Sequence, residues 1–150
     1  PVLFSQVRHG YRGEVFTIWK FRTMAHGADA DRAAQPGDDR VRHPWLRATH
    51  LDELPQLWNV LRGDMSLVGP RPHMASDTQR YADAVRSYGI RHWVRPGITG
   101  LAQARGLHGF TDQASMTERV KADVYYVEHW SVALDLKIIV ATLLRVKDWV

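Results

Sequence analysis

The spacing of apolar and polar positions changes several times along the chain, and each change marks an element. Val2 to Val7, a turn at Gly10 to Gly13, and Val15 to Arg22, rich in β-branched and aromatic residues, predict an N-terminal hairpin. Leu54, Leu57, Trp58 and Leu61 recur at i, i+3, i+4 and i+7, the spacing of a helix that Gly63 stops. Thr78, Tyr81, Ala82 and Val85 predict a second helix ending near Gly89. Met116, Val120, Val127 and Trp130 define a third stripe, and Val132, Leu136, Ile139, Leu143, Val146 and Val150 a fourth. Residues 26–44 carry Asp29, Asp31, Pro36, Gly37, Asp38, Asp39 and Pro44 without periodicity and read as a loop with a solvated acidic surface. Two elbows, Gly69-Pro70-Arg71-Pro72 and Arg95-Pro96-Gly97, read as rigid connectors. The expectation is a single α+β domain over residues 1–150, mainly helical, with a few short strands and no internal repeat.

Composition narrows the function classes. The 150 residues are 45% hydrophobic and 24% charged, the balance of a chain that folds around a core. Cysteine is absent, which excludes disulfides, thiolate metal sites and a cysteine nucleophile. Lys+Arg 20 against Asp+Glu 16 leaves +4 and a sequence pI near 9.7, pointing to a polyanionic partner: nucleic acid, an anionic membrane surface or a phosphorylated substrate. Six tryptophans suit places with one apolar and one wet edge, such as interfaces and bilayer headgroups. The chain begins Pro1-Val2-Leu3-Phe4 and is read as a piece whose true N-terminus lies upstream. Its longest apolar run, Ile138 to Ala141 followed by Leu143-Leu144, falls short of the roughly 20 residues of a spanning helix.

The sharpest local feature is Leu51-Asp52-Glu53-Leu54-Pro55-Gln56, two adjacent carboxylates ahead of an apolar-periodic run, with Pro55 expected in its first turn. Acids there complement a helix dipole, which is sufficient reason for them on its own. The surrounding cations offer a second reading. Arg47 precedes the pair, Lys20 and Arg22 end the second strand, and Arg71 is held between two prolines, pre-organised for bidentate phosphate binding. Carboxylates with convergent arginines suit a divalent metal and a phosphoryl group in one site. A surface salt-bridge network is the alternative. Asp123 falls between Val120 and Val127 on an apolar stripe, where a charge needs a partner such as Arg or Tyr unless its role is functional. The eight histidines show no metal-ligand spacing, and Gly97-Ile98-Thr99-Gly100 is too short and lacks the lysine of a phosphate loop.

Three segments then carry a resemblance: Trp19 to Met24 (WKFRTM), Leu51 to Pro72 (LDELPQLWNVLRGDMSLVGPRP) and Arg95 to Gln103 (RPGITGLAQ). Together with Asp123 to Tyr126, Trp130-Ser131 and Leu134 to Lys137, they resemble the bacterial sugar transferases, the monotopic phosphoglycosyl transferases that start polysaccharide assembly. The resemblance covers nearly the whole chain. Arg91-His92 before the second elbow, with Gly106 and Gly109 after it, looks most like exopolysaccharide members that prime with a hexose. Asp38 to Leu46 is shorter than usual for the family and lacks its common glycine.

The resemblance implies transfer of a sugar-1-phosphate from a UDP-sugar to undecaprenyl phosphate, with release of UMP. It implies that Asp52 is the nucleophile of a covalent phosphosugar intermediate, that Glu53 completes a catalytic dyad, and that Mg2+ is required, with Asp52 and Glu53 as its protein ligands. Lys20, Arg22, Arg47, Arg71, Arg95 and Gln103 are the expected substrate- and phosphate-binding residues, with Asp123 and Tyr126 in support. An upstream hydrophobic re-entrant helix, held in the cytoplasmic leaflet of the inner membrane, is a further expectation. Glucose-1-phosphate is the first expectation for the transferred group and galactose-1-phosphate the second. A basic nucleic-acid-binding module would need a recognition helix, a zinc motif or an aromatic RNA-binding strand, none of which the sequence carries. A non-catalytic scaffold would have no need of Asp52.

Overall fold

The computed structural model describes residues 1–25, 27, 38–107 and 112–145. Val146, Lys147, Trp149, Val150, Gly109 and most of the expected acidic loop therefore lie outside the described residues. The N-terminal hairpin forms as its alternation predicts. β1 (Leu3–His9) pairs antiparallel with β2 (Val15–Phe21), Leu3 opposite Phe21 and His9 opposite Val15. A 3-10 turn, Tyr11–Gly13, closes it, with Arg12 and Gly13 both at positive φ.

Behind the hairpin come α1 (Pro44–Ala48), a 3-10 turn at Leu51–Glu53, α2 (Gln56–Arg62) and β3 (Ser66–Val68). α3 (Ala75–Ala84) is followed by a 3-10 segment at Tyr88–Trp93, β4 (Gly97–Thr99), and the helices α4 (Leu101–Ala104), α5 (Gln113–Glu128) and α6 (Val132–Arg145). The architecture is α+β, as expected. Asp112 caps α5 by accepting from the Ser115 N–H at 2.8 Å. Gly63, at φ 83°, ends α2 in the left-handed conformation that glycine adopts without penalty.

Two apolar clusters hold the helices. Val68, Leu101, Ala102, Ala122, Tyr126 and Ile138 join β3, α4, α5 and α6; Tyr81, Val85, Tyr88, Met116 and Val120 join α3, α5 and the 3-10 segment. α5 belongs to both, so it is the element around which the domain is organised.

The two elbows are more than connectors. β3 and β4 pair in parallel, Ser66 against Gly97 and Val68 against Thr99, and main-chain bonds continue across the prolines. Ser66 N–H donates to Pro96 O at 2.8 Å, Gly69 N–H to Thr99 O at 2.9 Å, and Gly97 N–H to Pro70 O at 3.0 Å. Backbone meets backbone so closely that a Cβ on Gly69 would sit 2.5 Å from the Arg95 carbonyl oxygen, and Cβ atoms on Gly97 and Gly100 would press on the Gly69 main chain. Only glycine fits at these three positions.

The apolar stripe of α2 makes the clearest departure from the usual inward-facing arrangement. Leu54, Leu57, Trp58 and Leu61 are 45–79% exposed, while Gln56 and Asn59 on the opposite side are buried. Asn59 explains the orientation. Its Nδ2 donates to Thr17 O at 2.8 Å and to Asp64 Oδ2 at 3.1 Å, and its Oδ1 accepts from Trp19 N–H at 3.3 Å. A polar side chain satisfied by β2 fixes which face turns inward, and the leucines are left outside. α6 behaves similarly: Ile138 is buried and Ile139 partly so, whereas Val132, Leu136, Val140 and Leu143 are exposed. Among the described residues no helix is long and apolar enough to cross a membrane.

Candidate functional site

Asp52 and Glu53 stand just ahead of α2, as the sequence predicts, while Pro55 takes a different place. Pro55 is the N-cap of α2 instead of a first-turn residue, and the two acids occupy the separate 3-10 turn before it. This turn is launched from His50, whose φ of 55° is left-handed, a costly conformation for a residue with a side chain. The reversal turns two consecutive carboxylates inward, so that both are buried.

Buried together, they have different surroundings. Glu53 is enclosed by cations: Lys20 Nζ donates to Oε1 at 2.6 Å, Arg71 Nη2 to Oε1 at 2.5 Å and Arg71 Nη1 to Oε2 at 3.0 Å. Burial pushes its carboxyl up, but Arg71 and Lys20 together outweigh that and hold it well below the usual carboxylate range. Asp52 receives no side-chain hydrogen bond among the described residues. Burial pushes its carboxyl above the usual aspartate value, the Glu53 charge adds to this, and Lys20, Arg47 and Arg71 oppose it. Lys20 is drawn below an ordinary lysine, first by burial and further by Arg71, against the pull of Glu53. Two neighbouring acids driven apart in this way are prepared for different tasks.

The sequence-predicted residues fall into two groups. Lys20 and Arg71 reach the acids directly, and Arg47 lies within electrostatic range of Asp52. Arg22 instead turns along the hairpin, donating to Pro1 O at 3.0 Å and Leu3 O at 3.4 Å, with its guanidinium 5.4 Å from the centre of the Phe4 ring. The Arg95 side chain is exposed and makes no hydrogen bond or ion pair among the described residues. Gln103 donates to Ile98 O at 3.1 Å, inside the elbow packing. Tyr126 donates to Asp135 Oδ1 at 2.8 Å and to Val68 O at 3.3 Å, tying α5 to α6 and β3.

Asp123 finds the arginine its position demanded. Arg91 pairs with it at 2.9 Å, both side chains almost wholly enclosed. Arg91 and His73, buried beside them, were not among the expected site residues, nor was Asn59. The available signal for Asn59 was its place, with Gln56, on the uncharged face opposite the leucines of α2.

The donor set limits how a metal could bind. Among the described residues no three His, Asp or Glu side chains gather as a cage. Magnesium commonly takes one or two carboxylates and completes its shell with water and substrate phosphates, which the open Asp52 carboxylate fits. Both Glu53 oxygens are already taken by Arg71 and Lys20, so Glu53 would have to exchange a partner to join it.

The site is thus an inward pair of acids on a strained turn, clamped by a lysine and a proline-framed arginine. The chain belongs to the bacterial sugar transferase family, whose profile matches residues 1–148. It is 49% identical over 148 residues to the UDP-glucose:undecaprenyl-phosphate glucose-1-phosphate transferase of Caulobacter vibrioides, covering 95% of this chain and 55% of that protein. It is 45% identical over 150 residues to the protein of the same name from Klebsiella pneumoniae, covering 97% of this chain and 32% of that protein. A UDP-N-acetylgalactosamine-undecaprenyl-phosphate N-acetylgalactosaminephosphotransferase of Aeromonas hydrophila is 40% identical over 148 residues, covering 95% of this chain and 34% of that protein. The chain thus spans about a third to just over half the length of these relatives.

Proposed function

We propose that this domain catalyses transfer of hexose-1-phosphate from a UDP-hexose to undecaprenyl phosphate, with Asp52 as nucleophile. The observation that carries the reading is the asymmetry of the acid pair: Glu53 is saturated by Arg71 and Lys20, while Asp52 is buried without a side-chain hydrogen-bond partner among the described residues. An Asp52 oxygen attacks the phosphorus bonded to the sugar. The bond from that phosphorus to the bridging oxygen of UMP breaks, and UMP leaves with the electron pair. An oxygen of undecaprenyl phosphate then attacks the same phosphorus, the aspartyl–phosphate bond breaks, and Asp52 returns as a carboxylate. Dividing one displacement into two spares the large acceptor and the nucleotide from being bound in line at once.

The residues around Asp52 explain how an anion approaches an anion. Lys20, Arg47 and Arg71 supply positive charge around the carboxylate in a site screened from water, where such charge acts strongly. Bound magnesium, held by Asp52 and the diphosphate, would neutralise phosphate charge. Glucose is the proposed sugar, following the printed names of the Caulobacter and Klebsiella relatives. The Aeromonas relative is named for another sugar, and we assign the choice of sugar to pocket details and not to the acid pair.

The acceptor is lipid-linked, and the surface beside the acids suits a lipid face. Trp45, Leu51, Leu54, Leu57, Trp58 and Leu61 expose a run of apolar side chains beside the turn that carries Asp52. Exposed apolar stretches of this extent mark interaction surfaces. This face rests on the cytoplasmic leaflet and brings Asp52 to the depth of the lipid phosphates. The test is release of UMP from UDP-hexose by the intact protein in a bilayer mimetic with magnesium and undecaprenyl phosphate. Turnover that persists in Asp52→Asn would overturn the assignment.

A further inference from the structure

Arg91 is buried deep behind the catalytic turn, and every donor of its guanidinium is used. A guanidinium has five N–H groups in a fixed fork. Here Nε donates to Asp123 Oδ2 at 3.2 Å, and Nη2 pairs with the same oxygen at 2.9 Å and donates to Arg71 O at 2.6 Å. Nη1 reaches Tyr88 Oη at 3.2 Å and His73 Nδ1. Burial, with the charges of Arg91 and three further arginines, holds His73 well below its ordinary pKa, so its ring is neutral and accepts at Nδ1.

One of these bonds leads towards the acid pair. Arg71 stands between Pro70 and Pro72, neither of which has an N–H, so this strap is tied largely through its carbonyls. Pro70 O is held by Gly97 N–H, and Arg71 O by Arg91. The Arg71 main chain is therefore pinned on both sides before its side chain crosses to Glu53. We infer that Arg91, anchored on Asp123 of α5, is a positioning residue that sets where the Arg71 guanidinium meets Glu53 beside Asp52. The inference rests on the proposed role of Asp52 and adds to it a line from Asp123 through Arg91 and the Arg71 carbonyl to the acid pair.

The competing account is a buried ion pair that only attaches α5 to the 3-10 segment. The two differ in how variants combine. In Arg91→Lys the charge opposite Asp123 remains, but a single ammonium cannot span Asp123 and Arg71 O as a fork does. We would measure kcat/KM for UDP-hexose in Arg91→Lys, Arg71→Lys and the double variant, using the intact protein in nanodiscs, with thermal melting of each. A positioning role predicts at least a tenfold loss in Arg91→Lys and a double variant within about twofold of Arg71→Lys, because the positioned group is already impaired. Losses that multiply, or an Arg91→Lys enzyme of ordinary activity, would overturn it. Should Arg91→Lys not fold, Asp123→Asn, which keeps the shape and one acceptor, is read in the same cycle with the same two outcomes. Asp52→Asn is assayed beside them. Turnover there would sink the nucleophile assignment, whereas a dead Asp52→Asn with multiplying losses sinks the positioning role alone.

Discussion

Arg71 meets Glu53 fork to fork, Nη1 to Oε2 at 3.0 Å and Nη2 to Oε1 at 2.5 Å, while the adjacent Asp52 has no side-chain donor among the described residues. The pairing gives the two acids opposite effects on stability. Glu53 has a lowered pKa, so it contributes stability above the unfolded carboxylate value, and the contribution is lost as pH falls through the folded value. Asp52 has a raised pKa, so its ionised form costs stability at neutral pH, and the cost vanishes as pH falls through that raised value.

Glu53→Gln should therefore lower stability at pH 7 by about 2–3 kcal/mol, since it strands Lys20 and a partly exposed Arg71. Asp52→Asn should raise it. On acidification the Asp52→Asn gain should fade first, as pH falls through the raised Asp52 value to the ordinary carboxylate range, and the Glu53→Gln loss only below that range, as pH falls towards the lowered Glu53 value. Chemical denaturation of the three proteins across pH checks this. A destabilised Asp52→Asn would mean that its carboxylate is bonded in a way the structure does not show.

Arg71→Lys should not behave as a conservative change. The ammonium keeps its charge but loses the planar fork that spans both Glu53 oxygens. A fall of about a hundredfold in kcat/KM with nearly unchanged melting is expected, equivalent to about 2.7 kcal/mol of transition-state stabilisation. Equal activity would reduce Arg71 to a general positive field.

Gly97→Ala should be severe despite adding one methyl group. The new Cβ would press on the Gly69 main chain, and backbone cannot move aside without breaking the bonds between the elbows. We expect loss of the cooperative melt, or a drop of at least about 3 kcal/mol. Gly89→Ala, where a Cβ meets nothing within 4 Å, is the control and should melt nearly as wild type.

The outward face of α2 should bind bilayers. The domain is expected to co-sediment with anionic vesicles more strongly than with neutral ones, to lose part of that binding at high salt, and to shift its tryptophan emission to the blue. Changing Leu57 and Trp58 to serine should abolish the shift while leaving melting almost unchanged, because both side chains are already exposed. A double variant that binds as well as wild type would move the docking face elsewhere, the exposed stripe of α6 being the next candidate.

Much of this was legible along the chain, and the failures have physical causes. Alternation located the hairpin, and i, i+3, i+4 spacing with Gly63 located α2. Periodicity says which residues share a face but not which way that face turns. The direction of α2 is set by Asn59 bonding to Thr17 and Trp19, contacts some forty residues distant in sequence. β3 and β4 are three residues each, too short for any period to register, and their pairing depends on glycines that allow backbone to touch backbone. Asp123 announced its need for a cation by standing in an apolar stripe, but nothing local singled out Arg91 from the chain's other arginines. Lys20 and Arg71 were readable as part of the site from charge and proline framing. Arg22 was not separable from Lys20, because residues two apart at a strand end share a face, and only their partners in the fold tell them apart.

The most direct measurement is the mass of the intact protein after incubation with UDP-hexose and magnesium in the absence of undecaprenyl phosphate. If Asp52 is the nucleophile, the protein gains one hexose phosphate, mapped by fragmentation to Asp52, discharged when undecaprenyl phosphate is added, and absent from Asp52→Asn. An adduct on Glu53, or full turnover with no adduct under rapid quenching, would contradict that role.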